Sequence, residues 1–323
     1  MIVSNQVVKL IVSNQKIWNQ TDAIFEIISA SKKGPVIIDL NTEAPDCQAI
    51  GIDKILDCVR EIFELPIEHF TIRTGNYLKT SKYKEVVVNL PELRIAKTQT
   101  ATRSNLTKVF GLFIGRSNSN RLALASYMFK NYNHKTELTF HFDHDNEYHK
   151  TQFGIEDLLL DRWYMKDIVC DFLDNTPLGD KRSEYPIDFA RGAFDLHQQY
   201  ANIFCDIVCE TFTDGKTFLI TEKTLRAISS QRPFVVYGPR YFLHNLKLLG
   251  FKTFDTWWAE GYDIDHDGGR LSSVMSCIDW IAQQPEVDII RWYEEMQPTL
   301  EHNALVLKTL TDSKLQATDY FYE

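Results

Sequence analysis

The sequence predicts an α/β fold of two units, each a parallel sheet with covering helices, facing a common cleft. Three observations carry that expectation. The chain has 323 residues, about twice the usual domain of roughly 150, and a single core seldom grows past about 250–300 residues. Strand and helix patterns alternate through the first part of the chain, as βαβ units do. After a polar, threonine-rich stretch at 91–107 the alternation starts again. The boundary is therefore placed in that linker, giving units at 1–100 and 101–323, both Rossmann-like in their order of elements.

The first unit begins with the apolar run Val7 to Val12, followed by a helical stretch in which Ile24, Ile27 and Ile28 share one face. Pro35 to Leu40 follows Gly34 and reads as a buried strand. From Ile52, the positions Ile55, Leu56, Val59, Ile62 and Phe63 recur at helical spacing, with Pro66 beyond the end. His69 to Arg73 and Glu85 to Leu90 are two more expected strands.

In the second unit, Val109 to Ile114 is a strand, Asn120 to Asn131 a helix carrying Leu122, Leu124, Ala125, Met128 and Phe129, and Glu137 to Phe142 a strand. A helical region is expected from about Ile155 to Asp174, then a polar loop at 175–188. Strands follow at Ile203–Cys209, Phe218–Ile220, Pro233–Tyr237 and Lys252–Phe254, with helices at Glu222–Ser230 and Tyr241–Leu249 between them. Two helices, 270–283 and 286–310, close the chain, the last long enough to pack back across the first unit. The pentapeptide IVSNQ at 2–6 and again at 11–15 is too short and isolated to mark a solenoid.

Composition excludes several classes. Hydrophobic residues at 44% and charged residues at 24% are globular values, incompatible with a disordered or fibrous chain. The net charge of −9 opposes capture of nucleic acid or anionic lipid by the surface as a whole. No run of 18 uncharged apolar residues occurs and the N-terminus lacks a signal-peptide pattern, so a cytoplasmic protein without a membrane span is expected. Cys47, Cys58, Cys170, Cys205, Cys209 and Cys277 form no C-x-x-C pair and read as reduced structural thiols. Walker A, G-x-S-x-G and G-x-G-x-x-G patterns are absent, against P-loop, hydrolase and nicotinamide-dependent readings.

The segment Phe218 to Pro239 carries the most chemistry. A strand ends at Ile220, Thr221 can cap the next helix, and Glu222 and Lys223 stand in its first turn, where free backbone N–H groups face the strand ends. Such a helix start supplies donors and partial positive charge for a diphosphate, and Lys223 adds a full charge. Glu222 can accept both hydroxyls of a ribose. A capped helix with an acidic first turn and a solvated lysine would look the same in sequence.

The run Thr221-Glu222-Lys223, an apolar helix, then Pro233-Phe234-Val235-Val236-Tyr237-Gly238-Pro239 resembles the donor-binding signature of the alpha-1,3-fucosyltransferases, glycosyltransferase family 10. Upstream, Cys209-Glu210-Thr211 matches the family's Phe-Glu-Asn strand end, with threonine in place of asparagine. Ile114 to Arg121 is similar to the segment that opens the family's second domain and supplies an arginine to the diphosphate; Arg121 fits that role better than Arg116 because it lies in the first helical turn. Asn41-Thr42-Glu43-Ala44-Pro45 is similar to the family's Asn-x-Glu-Ser-Pro element, whose glutamate deprotonates the acceptor hydroxyl.

The resemblance implies a divergent, bacterial or viral inverting glycosyltransferase of the two-domain B-type architecture. It implies a nucleotide-sugar donor, such as GDP-fucose or a related hexose, held by Arg121, Glu210, Thr221, Glu222 and Lys223. Glu43 would be the base, and a glycan or other hydroxyl compound the acceptor, with no cofactor and no required metal. Competing readings stay open. Asp143-His144-Asp145 forms a D-x-D triplet of the kind that holds a divalent cation on a donor diphosphate, and Asp265-His266-Asp267 is another. The chain could instead be a non-catalytic nucleotide-sugar or glycan-binding module. Trp257, Trp258 and Tyr262 suit either an acceptor-stacking platform or a core.

Overall fold

The structure, a computed structural model, describes residues 5–10, 12–13, 16–17, 20–40, 45–87, 106–114, 118–140, 162–175 and 196–311. The chain opens with β1 (Gln6–Lys9), a small antiparallel ribbon of β2 (Val12–Ser13) and β3 (Lys16–Ile17), and helix α1 (Gln20–Ser31). It continues through β4 (Val36–Leu40), α2 (Ile52–Phe63), β5 (Phe70–Thr74) and β6 (Lys84–Val87). β1, β4, β5 and β6 form one parallel sheet in that spatial order. Parallel neighbours need long crossovers, and α1 and α2 supply two of them.

The register sets Val8 beside Ile38 and Ile38 beside Ile72, all buried. Onto this layer α1 turns Ala23, Ile27 and Ala30, and α2 turns Ile52, Leu56 and Val59. Two expectations shift. The apolar run Val7 to Val12 is divided between β1 and β2, and Ile62 lies off the buried stripe of α2, 67% exposed. α2 stops at Glu64, whose left-handed backbone returns its N–H to Arg60 O.

The second sheet comprises β7 (Lys108–Ile114), β8 (Thr136–Phe140), β9 (Ile203–Cys209) and β10 (Phe234–Tyr237), again all parallel, in the spatial order β10-β9-β7-β8. α3 (Ser119–Tyr132) links β7 to β8. α4 (Lys166–Asn175) and α5 (His197–Asn202) precede β9, α6 (Glu222–Ser229) links β9 to β10, and α7 (Phe242–Leu248), α8 (Asp267–Ala282) and α9 (Glu286–Thr311) follow. Every residue of β9 is buried, as befits a strand covered on both faces. Gly111 in β7 is required by the packing: a Cβ there would stand 2.5 Å from Ile203 Cδ1 and 2.7 Å from the Phe113 ring.

Two expected strands are not strands. Residues 217–221 form no regular element and join neither ladder. Lys252–Phe254 is held by side chains instead: Asn303 of α9 accepts from Lys252 N at 2.8 Å and donates to Lys252 O at 2.8 Å, while Glu260 accepts from Phe254 N at 2.8 Å. α9 itself lies on α6, with Tyr293 beneath the buried Arg232, whose guanidinium is 5.0 Å from the ring centre. Most of the expected linker, the loop after residue 175 and the start of the helical region at 155–161 fall outside the described residues.

The two units touch where residues 76–78, after β5, meet residues 216–218, before α6. Tyr77 N donates to Phe218 O at 2.9 Å and the two rings lie 5.8 Å apart. Tyr77, Leu78 and Val87 of the first unit pack into the larger core of the second. All six cysteines are free thiols, four of them buried. Among the described residues no helix is long and apolar enough to cross a membrane.

Buried acids make stability depend on pH. Asp206, in the middle of β9, accepts a hydrogen bond from the Tyr200 hydroxyl at 2.5 Å, and burial pushes its carboxyl up to about 7 despite that bond and the charge of Arg226. The folded chain thus holds a proton that the unfolded chain releases near pH 4. Its contribution is complete below that pH and is lost as pH rises through about 7. Burial likewise pushes Glu85 and Glu260 up to about 7. Denaturant titrations between about pH 5 and pH 8 should show falling stability, with a shallower slope for Asp206→Asn; equal slopes would contradict the assignment.

Candidate functional site

The second sheet contains one reversal. From β7 the chain crosses through α3 to β8 on one side, then returns to place β9 on the other side of β7 and proceeds to β10. Right-handed crossovers put α3 and α6 on opposite faces, and their separate packing, α3 with α4 and α8, α6 with α9, agrees. At such a reversal the loops leaving adjacent strands diverge and open a crevice at the carboxyl ends, where α/β sheets bind ligands.

Glu210, the first residue beyond β9, organises this crevice. It is 1% exposed. Its carboxylate accepts from Thr221 N at 3.3 Å, from the Thr221 hydroxyl, and from the Thr224 hydroxyl at 2.5 Å. These bonds pin the start of α6 to the end of β9. Thr221 is the N-cap, its Oγ1 accepting from Lys223 N at 3.3 Å. Glu210 N completes the pairing with Tyr237 O at 3.0 Å, and Glu210 O accepts from Arg121 Nη2 at 3.3 Å.

Two cations therefore converge from the two helices that diverge at the reversal. Arg121 comes from the first turn of α3, capped by Asn118, whose Oδ1 accepts from Arg121 N at 2.9 Å. Lys223 comes from the first turn of α6, its Nζ lying 3.0 Å from Glu222 Oε1, 3.3 Å from Thr221 Oγ1 and 3.4 Å from Thr211 Oγ1. Burial raises the pKa of the Cys209 thiol, and the charges of Arg121 and Lys223 restrain the rise. Burial also works against the charge on Glu222, but Lys223 and Arg226 outweigh it and hold the carboxyl down to about 2. Glu222 is thus a half-exposed anion beside a cation, with acceptor oxygens for hydroxyl groups.

Arg121, Glu210, Thr221, Glu222 and Lys223 are brought together as one cluster. Thr211, where the resemblance would have asparagine, is a partner of Lys223. Glu43, Arg116, Asp143 and Asp145 lie outside the described residues. The tryptophans part company from the cluster's chemistry. Trp258 is 3% exposed, edge-on to Phe204 and stacked at a tilt on Phe254, and Tyr262 is equally buried, so neither offers a face to a sugar ring. Trp257 is half-buried and donates from Nε1 to Glu295 Oε2 at 3.1 Å. Asp267 of the second D-x-D triplet accepts from Arg270 Nη2 at 2.7 Å in the first turn of α8.

Three neighbours were not read from the sequence. Arg270, 1% exposed, donates from Nη1 to Thr213 O at 2.6 Å and Gly238 O at 3.1 Å, tying the ends of β9 and β10 together. Its signal was an arginine one turn before Val274 on the buried stripe of α8. Asn120 Nδ2 donates to Thr213 Oγ1 at 2.6 Å, and Arg162 Nη2 donates to Asn120 Oδ1 at 2.6 Å, bringing another guanidinium to the start of α3. Nothing local marks Arg162.

No protein-family model matches the chain, and no curated protein matches it by sequence. It is similar to a solved structure of trehalose-6-phosphate from E. coli bound with UDP-2-fluoro glucose, at 12% identity over 90% of this chain and 72% of that one, with a TM-score of 0.41. A likeness that loose carries no argument, so the reading of the site rests on its own geometry and chemistry.

The bracket at Glu210 is testable by itself. Glu210→Ala strands two buried hydroxyls and the Thr221 N–H, and each unsatisfied buried group costs about 1–3 kcal/mol. Denaturant unfolding should show a loss on the order of 3 kcal/mol, with Glu210→Gln much milder because the hydroxyls can reorient toward the amide. Equal stability of Glu210→Ala and the parent would remove the bracket.

Proposed function

We propose that the chain is a glycosyltransferase of the two-domain, B-type architecture that takes a nucleotide sugar at the reversal of the second sheet. The observation that carries the reading is the convergence of Arg121 and Lys223, from oppositely placed helices, at the carboxyl end of β9. Fixed cations and a helix start in one crevice suit a diphosphate. An ammonium has three protons, so an arriving phosphate oxygen would replace one of the long hydroxyl contacts of Lys223 and keep the bond to Glu222. Glu222, ionised at neutral pH, is suited to accept from the two ribose hydroxyls.

In this scheme Glu43 takes the proton of an acceptor hydroxyl while that oxygen attacks the anomeric carbon. The bond from that carbon to the diphosphate breaks, and the nucleoside diphosphate leaves with the electron pair. Attack opposite the leaving group inverts the anomeric centre. Arg121, Lys223 and the α6 N–H groups stabilise the charge that develops on the diphosphate, so the scheme needs no divalent cation. The family resemblance favours GDP-fucose or a related hexose as donor, and a glycan hydroxyl as acceptor.

Thermal shifts with GDP-, UDP-, CMP- and dTDP-sugars test the donor class, since a ligand at 100 times its dissociation constant stabilises by about 2.7 kcal/mol. With the best donor, Lys223→Ala should weaken binding by about 1.5–3 kcal/mol, whereas Glu43→Gln should bind donor normally and lose transfer. Unchanged affinity in the first variant, or unchanged turnover in the second, removes that residue's role. Transfer should also persist in excess EDTA; abolition there with recovery on adding Mn²⁺ would transfer the chemistry to a metal scheme such as Asp143 with Asp145.

A further inference from the structure

The join between the two units turns on Asn76. It is wholly buried in the loop after β5, where its own N–H donates to Thr74 Oγ1 at 3.0 Å. Oδ1 accepts from Leu78 N at 3.0 Å and from Phe218 N at 2.8 Å. Nδ2 donates to Pro45 O at 3.2 Å and to Lys216 O at 3.0 Å. A primary amide has two acceptor positions and two N–H donors, so each is used once within the first unit and once across the join. Beside it, Lys216 N donates to Asp46 Oδ2 at 3.3 Å and Tyr77 N to Phe218 O at 2.9 Å.

The segment so held is continuous with the crevice. It leaves Glu210 at one end and reaches Thr221, the cap of α6, three residues after Phe218. Within it the Thr217 hydroxyl is buried and finds no partner among the described residues. A buried hydroxyl without a partner carries a desolvation cost that the bonds of the join offset.

We propose that Asn76 is a positioning residue: by clasping the backbone of Lys216 and Phe218 it fixes the start of α6, and Lys223 with it, at a set spacing from the strand ends of the first unit. The proposal rests on the nucleotide-sugar reading, because a reaction whose two substrates come from opposite sides of a cleft depends on that spacing. Asn76 touches neither substrate. Its loss should act on the transfer step and leave donor capture by the second unit largely intact.

The test uses the full chain with Asn76→Ala and Asn76→Asp. Asn76→Asp keeps the shape and both accepting positions but sets a carboxyl group against the carbonyls of Lys216 and Pro45, so it tests the clasp even if the alanine variant folds poorly. Amide hydrogen exchange over 214–221, which needs no substrate, should rise at least tenfold in each folded variant. Affinity for the nucleoside diphosphate found best in the thermal-shift panel should change less than about threefold, while kcat for transfer falls at least tenfold. Unchanged exchange would overturn the clasp. Faster exchange with unchanged kcat, or an equal loss of affinity and kcat, would overturn the positioning role. If the parent binds no nucleoside diphosphate and transfers no sugar, the functional reading fails and the positioning role falls with it, while exchange still decides whether Asn76 holds the segment.

Discussion

The crevice depends on a single residue being used in three directions at once. Glu210 gives its N–H to β10, its carbonyl to Arg121 of α3, and its carboxylate to the first turn of α6. A polar group removed from water is tolerated only when its hydrogen bonds are satisfied, and here satisfying them registers three elements against the end of β9. The placement of Lys223 relative to Arg121 then follows from the fold. Neither cation has to be ordered by a ligand, which lowers the entropic cost of taking one up.

The two sheets divide the work. In the first, spatial order follows chain order through β1, β4, β5 and β6, so its connections never reverse and open no crevice of their own. Its contribution lies in the loops beyond β4 and β5, which carry Asp46 and Asn76 to the join. The second sheet reverses beside β7, and the fixed charges gather there. Similar βα units thus give different surfaces because of the order in which their strands are laid down.

What the sequence made legible was whatever local chemistry decides. Continuous apolar runs gave β4, β7 and β9, and helical spacing gave α2 and α3, because burial on one stripe leaves its period in the chain. Thr221, Glu222 and Lys223 could be placed because a cap and a first turn are contiguous. The failures have the opposite character. Phe218 and Lys252 take their backbone partners from Asn76 and Asn303, 142 and 51 residues away, and no local window contains such a partner. The Glu210 carboxylate, one of the donor-binding groups that the resemblance implies, accepts from Thr221 and Thr224, partners that the sequence does not mark. Arg162 reaches the start of α3 from 42 residues away through Asn120, again without a local trace.

The side-chain hold on residues 252–254 has a consequence for how the molecule meets its own copies. An extended segment with free N–H and C=O groups is a template on which another chain can add a strand. Here the N–H and carbonyl of Lys252 are occupied by the amide of Asn303, and the N–H of Phe254 by Glu260. Those three groups are thereby withheld from pairing with a strand of a neighbouring copy.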